Sequence, residues 1–147
     1  MEIKILNIPY GSKEYLETLD LRNEVFRKPW GLDIKDDNLE EDKNMDMYGL
    51  YLENNRLIGT IFLLHKDQET AQIKTLALLE EFRGIGLGKY LMDFIEDKIS
   101  SKGYKKAFLM GRVSAKPFYE KLGYKATSEV FDYKTIPHLY MEKNLKK

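Results

Sequence analysis

Three glycines at alternate positions, Gly84, Gly86 and Gly88, form a turn that could bind a phosphate group. They follow an apolar run at residues 73–79 and precede a segment with the periodicity of an amphipathic helix, so the order is strand, turn, helix. Glycine lets the backbone approach a ligand closely, and the first N–H groups of a helix have no partner within that helix. The helix dipole adds about half a positive charge at the same end. This arrangement predicts an anion site suited to a phosphate or a pyrophosphate.

The spacing of the glycines excludes the two common nucleotide-binding motifs. A dinucleotide fingerprint, G-x-G-x-x-G, needs its third glycine where Lys89 stands and an acidic residue about 20 positions further on, near Phe108. A P-loop, G-x-x-x-x-G-K-[ST], fails because Arg83 stands at its first glycine and Tyr90 at its hydroxyl residue. The pattern that remains is R-x-x-G-x-G over residues 83–88.

This pattern is similar to the [QR]-x-x-G-x-[GA] pyrophosphate loop of the GNAT acyltransferase superfamily. Four further segments resemble the family in the same order along the chain. Residues 77–84 resemble the end of its fourth strand, and residues 115–124 resemble its A-x-x-F-Y-x-x-L-G-[FY] segment. Residues 21–32 and 131–141 resemble two segments of a subgroup of small bacterial acetyltransferases, L-R-x-x-V-[LF]-R-x-P-x-G-L and F-x-E-x-G-I-P-H-x-x-M.

The resemblance implies an α/β fold of the GNAT type. We expect a mixed, mostly antiparallel twisted sheet of about six to seven strands flanked by about four helices, in a single domain spanning residues 1–147. Periodicity and turn residues predict strands at 2–8, 47–53, 56–66, 71–79 and 106–110, two more strands around Pro137, and an irregular segment at 30–45. They also predict three helices. The first is capped by Ser12, ends at Pro29 and buries Leu16, Leu19, Asn23 and Phe26. The second buries Leu87, Leu91, Ile95 and Ile99, and the third spans 115–122.

Composition excludes several other classes of protein. The 24 basic residues balance the 24 acidic residues, so neither a nucleic acid nor an anionic membrane is indicated as a partner. No apolar run approaches the ~18 residues of a membrane span, and the N-terminus lacks a signal-peptide pattern. The absence of cysteine excludes disulfides, a cysteine nucleophile and a zinc–cysteine site. We expect a cytoplasmic protein that uses no metal.

Charge is nevertheless uneven along the chain. Residues 33–46 carry seven acidic side chains and two lysines, whereas residues 102–125 are mainly basic. Such runs usually form solvated faces. Alternatively, the acidic run forms an acceptor-side loop that attracts a cationic amine.

The resemblance implies acetyl-CoA, or another acyl-CoA, as co-substrate and a small-molecule or peptidyl amine as acceptor; the family also suggests a homodimer. Two groups of backbone atoms are expected to bind coenzyme A. The pyrophosphate is assigned to Arg83, Gly84, Ile85, Gly86, Leu87, Gly88 and Lys89, and the thioester carbonyl and pantetheine arm to Leu76, Ala77 and Leu78.

Two side chains are candidates for proton transfer. Tyr119 stands at the tyrosine of the F-Y-x-x-L-G segment, which many relatives use as the acid that protonates the departing thiolate. His138 is a candidate base toward the amine. The alternative roles are structural: a tyrosine that packs against coenzyme A and a histidine that stabilises a turn. Glu80, Glu81, Glu129 and Asp132 are weaker candidates for the base, and His65 is expected at the surface.

The acceptor site is expected to lie between residues 27–45 and 131–138, with Trp30, Tyr48, Tyr133 and Tyr140 as candidate lining residues.

Three functions remain open from the sequence. Without cysteine no thiol can carry the acyl group, so an N-acetyltransferase would transfer it directly within a ternary complex. Tyr133 and Thr135 stand where the subgroup has glutamate and glycine, which leaves an acyl-CoA-binding module without transferase activity as an alternative. A protein that uses the glycine loop for ATP or NAD is the third.

Overall fold

Residues 2–145, the part of the chain that this computed structural model describes, contain eight strands and three α-helices. In chain order they are β1 (Ile3–Asn7), α1 (Lys13–Arg22), β2 (Asp46–Leu52), β3 (Leu57–His65), β4 (Thr70–Leu78), α2 (Leu87–Ser101), β5 (Lys106–Arg112), α3 (Lys116–Lys121), β6 (Lys125–Ala126), β7 (Phe131–Tyr133) and β8 (Ile136–Asn144).

All eight strands belong to one sheet, in the order β1-β2-β3-β4-β5-β8-β6, and β7 pairs with β8. Every pair is antiparallel except β4 with β5, which is parallel. The predicted mixed, mostly antiparallel α/β fold is therefore confirmed. The sheet has one strand more than expected because residues 125–144 form three strands rather than two. The three helices that the sequence located are present, one fewer than the approximately four implied by the resemblance, and residues 23–44 form short π and 3-10 turns.

Helix α2 packs on the sheet through the face that the sequence predicted. Its residues Leu87, Leu91, Ile95 and Ile99 are buried and belong to the main hydrophobic core. No helix within residues 2–145 is long and apolar enough to cross a membrane.

Helix α1 begins where predicted, since the Tyr15 N–H donates to the side chain of Ser12 at 3.1 Å. The predicted buried face is wrong, because Leu16 is 59% exposed and the buried residues are Tyr15, Thr18, Leu21 and Arg22. On this face Tyr15 and Arg22 are buried because both bind the carboxylate of Asp42. A search for apolar residues at helical spacing does not detect such a polar contact.

The predicted helix end at Pro29 is also wrong. The chain continues from α1 through a π turn at Asn23–Arg27 and a 3-10 turn at Lys28–Trp30. Pro29 is accommodated because it stands in the first turn of that 3-10 segment, where its missing N–H is not needed. Gly31, in the left-handed conformation with φ of 72°, ends the segment.

Candidate active site

Strands β4 and β5 pair for only part of their length. Their parallel register runs from Thr70 opposite Lys106 to Ile73 opposite Leu109. Strand β4 then continues to Leu78 and β5 to Arg112 without further pairing between them. From residue 74 onward, the backbone of β4 therefore forms no strand pairing with β5, in the middle of the sheet.

A bulge in β4 lies where the two strands separate. The β3–β4 register shifts between Thr60 and Phe62, and Thr75 adopts a left-handed φ of 58°. The Thr60 hydroxyl donates to the Thr75 carbonyl at 2.8 Å and fixes this conformation. Because a bulge bends its own strand, it accounts for the divergence of β4 from β5.

A cavity of about 1280 Å³ occupies the gap between the strands. One end is lined by backbone and side chains from residues 76–88 and 114–119, and the other end by residues from 22–45 and 133–138. Arg112 and Thr75 lie among the lining residues that belong to the sheet itself.

The glycine loop at the first end presents free backbone donors. Gly84 and Gly86 have φ of 79° and 91°, and no side chain caps α2 at Gly86. Within the described residues, the N–H groups of residues 84–89 donate to no backbone carbonyl, and the first such bond of the helix runs from Tyr90 to Gly86. The loop thus offers six successive N–H groups without a backbone acceptor, which is the arrangement that the predicted anion site requires.

The side chains of this loop point in different directions. Arg83 donates from Nε to the carbonyl of Leu78 at 3.0 Å, which ties the loop to the end of β4. Lys89 pairs with Asp93 at 2.8 Å on the surface of α2. Ile85 is exposed and Leu87 is buried in the core. A Cβ atom at Gly88 would stand 3.2 Å from the ring of Phe118, so α2 and α3 approach closely here.

Tyr119 lies on α3 and its ring packs against the backbone of Gly111 on β5. Phe118 and Tyr124 contact the ring edge-on, with centroid distances of 5.1 and 6.0 Å. Burial raises the pKa of Tyr119 to about 12, and the charge of Arg112 acts in the opposite direction. Its phenol is consequently protonated at neutral pH.

His138 lies on β8 and is 6% exposed, at the other end of the cavity. Its Nδ1 lies 2.7 Å from the carbonyl of Ile136. Since a carbonyl only accepts, Nδ1 carries the hydrogen, and Nε2 of the neutral ring has a free lone pair. Phe131 stacks on the ring and Tyr133 meets it edge-on, at centroid distances of 6.4 and 5.5 Å.

The other predicted site residues divide into two groups. Trp30 and Tyr133 line the cavity, and Glu80 and Glu81 stand exposed at its rim. The other candidates lie outside the cavity lining. Tyr48 packs on Phe94 in the core, and Tyr140 packs on Phe108 and Phe131. Glu129, Asp132 and His65 are exposed, and His65 contacts Tyr104.

Most of the acidic run is neutralised within the chain. Asp42 is 2% exposed and accepts from Arg22 at 2.8 Å and from the Tyr15 hydroxyl at 2.7 Å. Arg27 binds Asp37 at 2.6 Å and lowers the pKa of that carboxyl. The remaining ion pairs are Asp33–Lys35, Glu40–Lys43, Glu41–Lys74 and Asp46–Lys102. These contacts do not support the interpretation of the run as a negative loop that attracts a cation.

Arg112 is a cavity residue that the sequence did not single out. It is the last residue of β5 and stands directly opposite His138 in the β5–β8 register. Its guanidinium carbon lies over the rings of Phe26 and Trp30, 5.5 and 5.4 Å from their centroids. The available sequence signal was an arginine between the predicted strand at 106–110 and the tyrosine segment at 115–124.

Comparisons with known proteins place this geometry among acyltransferases. Residues 19–145 match the family model described as an acetyltransferase (GNAT) domain. A candidate acetyltransferase of Bacillus subtilis (strain 168) is 32% identical over 138 residues, which cover 90% of this chain and 91% of the relative.

Solved structures show the same fold over nearly the full length of this chain. The crystal structure of a candidate N-acetyltransferase from Lactobacillus plantarum superposes with a TM-score of 0.85 and 25% identity. The match covers 99% of this chain and 100% of that chain. A GNAT family acetyltransferase from Elizabethkingia anophelis, crystallised with acetyl-CoA bound, superposes with a TM-score of 0.72 and 21% identity over 97% of each chain.

Proposed function

Because this chain belongs to the GNAT acetyltransferase family, we propose that it transfers the acetyl group of acetyl-CoA directly to the nitrogen of an amine. The observation that supports this most strongly is the separation of β4 from β5. It leaves a free strand edge that leads from the glycine loop to a cavity containing Tyr119 and His138.

The donor end of the cavity has the groups that acetyl-CoA requires. The N–H groups of residues 84–89 would bind the pyrophosphate together with the positive end of the α2 dipole. The free edge of β4 would pair with the amide groups of the pantetheine arm. At Leu76, Ala77 and Leu78 a backbone N–H would stabilise the negative charge that develops on the thioester oxygen, a contribution of about 3 kcal/mol in comparable sites.

The transfer requires the movement of two protons. An ammonium acceptor first loses one proton, and its nitrogen then attacks the thioester carbon. The new N–C bond forms, the C–S bond breaks, and the second proton leaves the nitrogen as the sulfur gains one. The products are an amide, coenzyme A with a free thiol and one proton released to solvent.

His138 and Tyr119 are suited to these two transfers. The lone pair on Nε2 of His138 can accept a proton from the amine while Nδ1 remains bound to Ile136. The phenol of Tyr119 retains its proton at neutral pH and can donate it to the departing sulfur.

The first experiment measures coenzyme A release with a thiol reagent, using acetyl-CoA and a panel of amines, amino acids and lysine peptides. The protein contains no cysteine, so it adds no background. Release that depends on one class of amine is the expected result, and a double-reciprocal plot with intersecting lines would indicate a ternary complex. Tight acetyl-CoA binding without release for any amine would instead favour the acyl-CoA-binding module.

The two histidines offer a matched pair of variants. The amide of asparagine can still donate to the Ile136 carbonyl but has no basic nitrogen, so His138→Asn should lower kcat about 100-fold while acetyl-CoA still binds. His65→Asn changes an exposed histidine outside the cavity lining and should have no effect. Equal activity of the two variants would remove the base role from His138.

A further inference from the structure

We propose that Arg112 binds the carboxylate of the acceptor, and that the acceptor is therefore a small amino acid rather than a simple amine. This inference rests on the proposed function, since it identifies the substrate class of the same cavity.

Arg112 lacks the partner that the other enclosed arginines have. Arg22 and Arg27 each pair with a carboxylate, at 2.8 and 2.6 Å. Among residues 2–145, Arg112 forms no ion pair, although it is half-buried and its guanidinium lies over the Phe26 and Trp30 rings. A cation that is removed from water without a partner is costly, so such a group usually has a ligand.

The electrostatic surroundings favour an anionic ligand. Burial lowers the pKa of Arg112, and the charges of Arg27 and Arg83 lower it further. The carboxylate of Asp37 is already paired with Arg27 and does not pair with Arg112. An anion at Arg112 would relieve this repulsion.

The position of Arg112 indicates which anion fits. Directly opposed residues of an antiparallel pair have Cβ atoms about 5 Å apart and project from the same face of the sheet. Arg112 and His138 form such a pair, and both line the cavity. A carboxylate bound to the planar guanidinium would therefore place a nearby amino group within reach of His138. We therefore assign to the acceptor an amino group close to its carboxylate, as in α- and β-amino acids.

The wild-type protein provides a test that needs no variant. Coenzyme A release is compared for glycine, β-alanine, L-methionine and L-phenylalanine, each against its own carboxamide. We expect at least one amino acid to be used about 100-fold more efficiently, in kcat/KM, than its amide. Equal use of every acid and its amide would overturn the carboxylate site while leaving the acetyltransferase function intact.

Variants then assign the preference to Arg112. Arg112→Gln should raise the KM of the preferred amino acid about 100-fold and leave that of its amide unchanged. Arg112→Lys should recover part of the affinity, because it keeps the charge without the bidentate geometry. Lys66→Gln is the control, since Lys66 also lies over an aromatic ring, at 4.5 Å from Phe108, but outside the cavity lining. A rise in the KM of acetyl-CoA instead would assign the anion at Arg112 to the donor and overturn the proposal.

A binding experiment separates this inference from the proposed function. Calorimetry measures the same amino acids binding to the protein saturated with coenzyme A, where no transfer occurs. Binding that Arg112→Gln abolishes would support the carboxylate site even if no amine were acetylated. Absence of such binding, together with acetylation of amides, would overturn the site alone.

Discussion

Gly111 and Tyr119 are in direct contact across the cavity wall, and the absence of a side chain at Gly111 makes this contact possible. A Cβ atom at position 111 would stand 3.0 Å from Cε2 of the tyrosine ring. Gly111→Ala should therefore displace Tyr119 and lower kcat about 10-fold, because a small misplacement of a reacting group is costly.

The control for this prediction is the same substitution in a Tyr119→Phe background. The ring is then displaced as before, but the hydroxyl is already absent, so the additional loss in kcat should be small. Independent, multiplicative losses would show that Gly111→Ala acts on something other than the hydroxyl.

Tyr119→Phe should lower kcat about 100-fold if the phenol protonates the departing sulfur. Because the pKa of Tyr119 is raised to about 12, the acid form persists throughout the usual assay range. The wild-type kcat should therefore show no decline between about pH 8 and about pH 10. Tyr90→Phe, at an exposed tyrosine of α2, is the matched control. Full turnover by Tyr119→Phe would exclude the acid role.

Asp42→Asn should destabilise the fold strongly. The carboxylate holds Arg22 at 2.8 Å and the Tyr15 hydroxyl at 2.7 Å, and it is 2% exposed. Removal of its charge leaves Arg22 buried without a partner, at a cost of about 3–5 kcal/mol in the free energy of unfolding. Urea denaturation measures this.

Asp46→Asn, from the same acidic run, is the comparison for Asp42. Its pair with Lys102 is largely exposed, so the loss should be less than about 1 kcal/mol. Similar losses at the two positions would contradict the distinction between the buried and the exposed pair.

Thr135→Gly should stabilise the protein. Thr135 has φ of 66° in the turn between β7 and β8, a left-handed conformation that a β-branched residue adopts with strain. Relief of that strain exceeds the entropic cost of glycine, so we expect a gain of about 0.5–1 kcal/mol in the free energy of unfolding.

Asn55→Gly is the matched control, with a similar φ of 67°. Asparagine tolerates this conformation better than threonine, so the gain should be smaller. A destabilised Thr135→Gly protein would show that the threonine side chain contributes more than its backbone strain costs.

The sequence alone predicted the parts of the molecule that depend on local pattern. The buried face of α2 and the free N–H groups of the glycine loop follow from short-range spacing and from segments that resemble a family. The face of α1 was wrong because the decisive contact joins Tyr15 to Asp42, 27 positions away, and involves polar groups. The environment of Arg112 was missed for the same reason, since Phe26, Trp30 and His138 reach it from distant segments.

The two ends of the cavity come from different parts of the chain. Residues 76–88 and 114–119 line the end that we assign to acetyl-CoA, whereas the end that we assign to the acceptor is lined by the flanking segments 22–45 and 133–138. Evolution could therefore exchange one acceptor for another by altering the flanks, with the donor chemistry inherited unchanged. Proteins that descend from a common ancestor and retain the same glycine loop would then differ in the acceptor they modify. Similarity in the loop is therefore a poor guide to metabolic role.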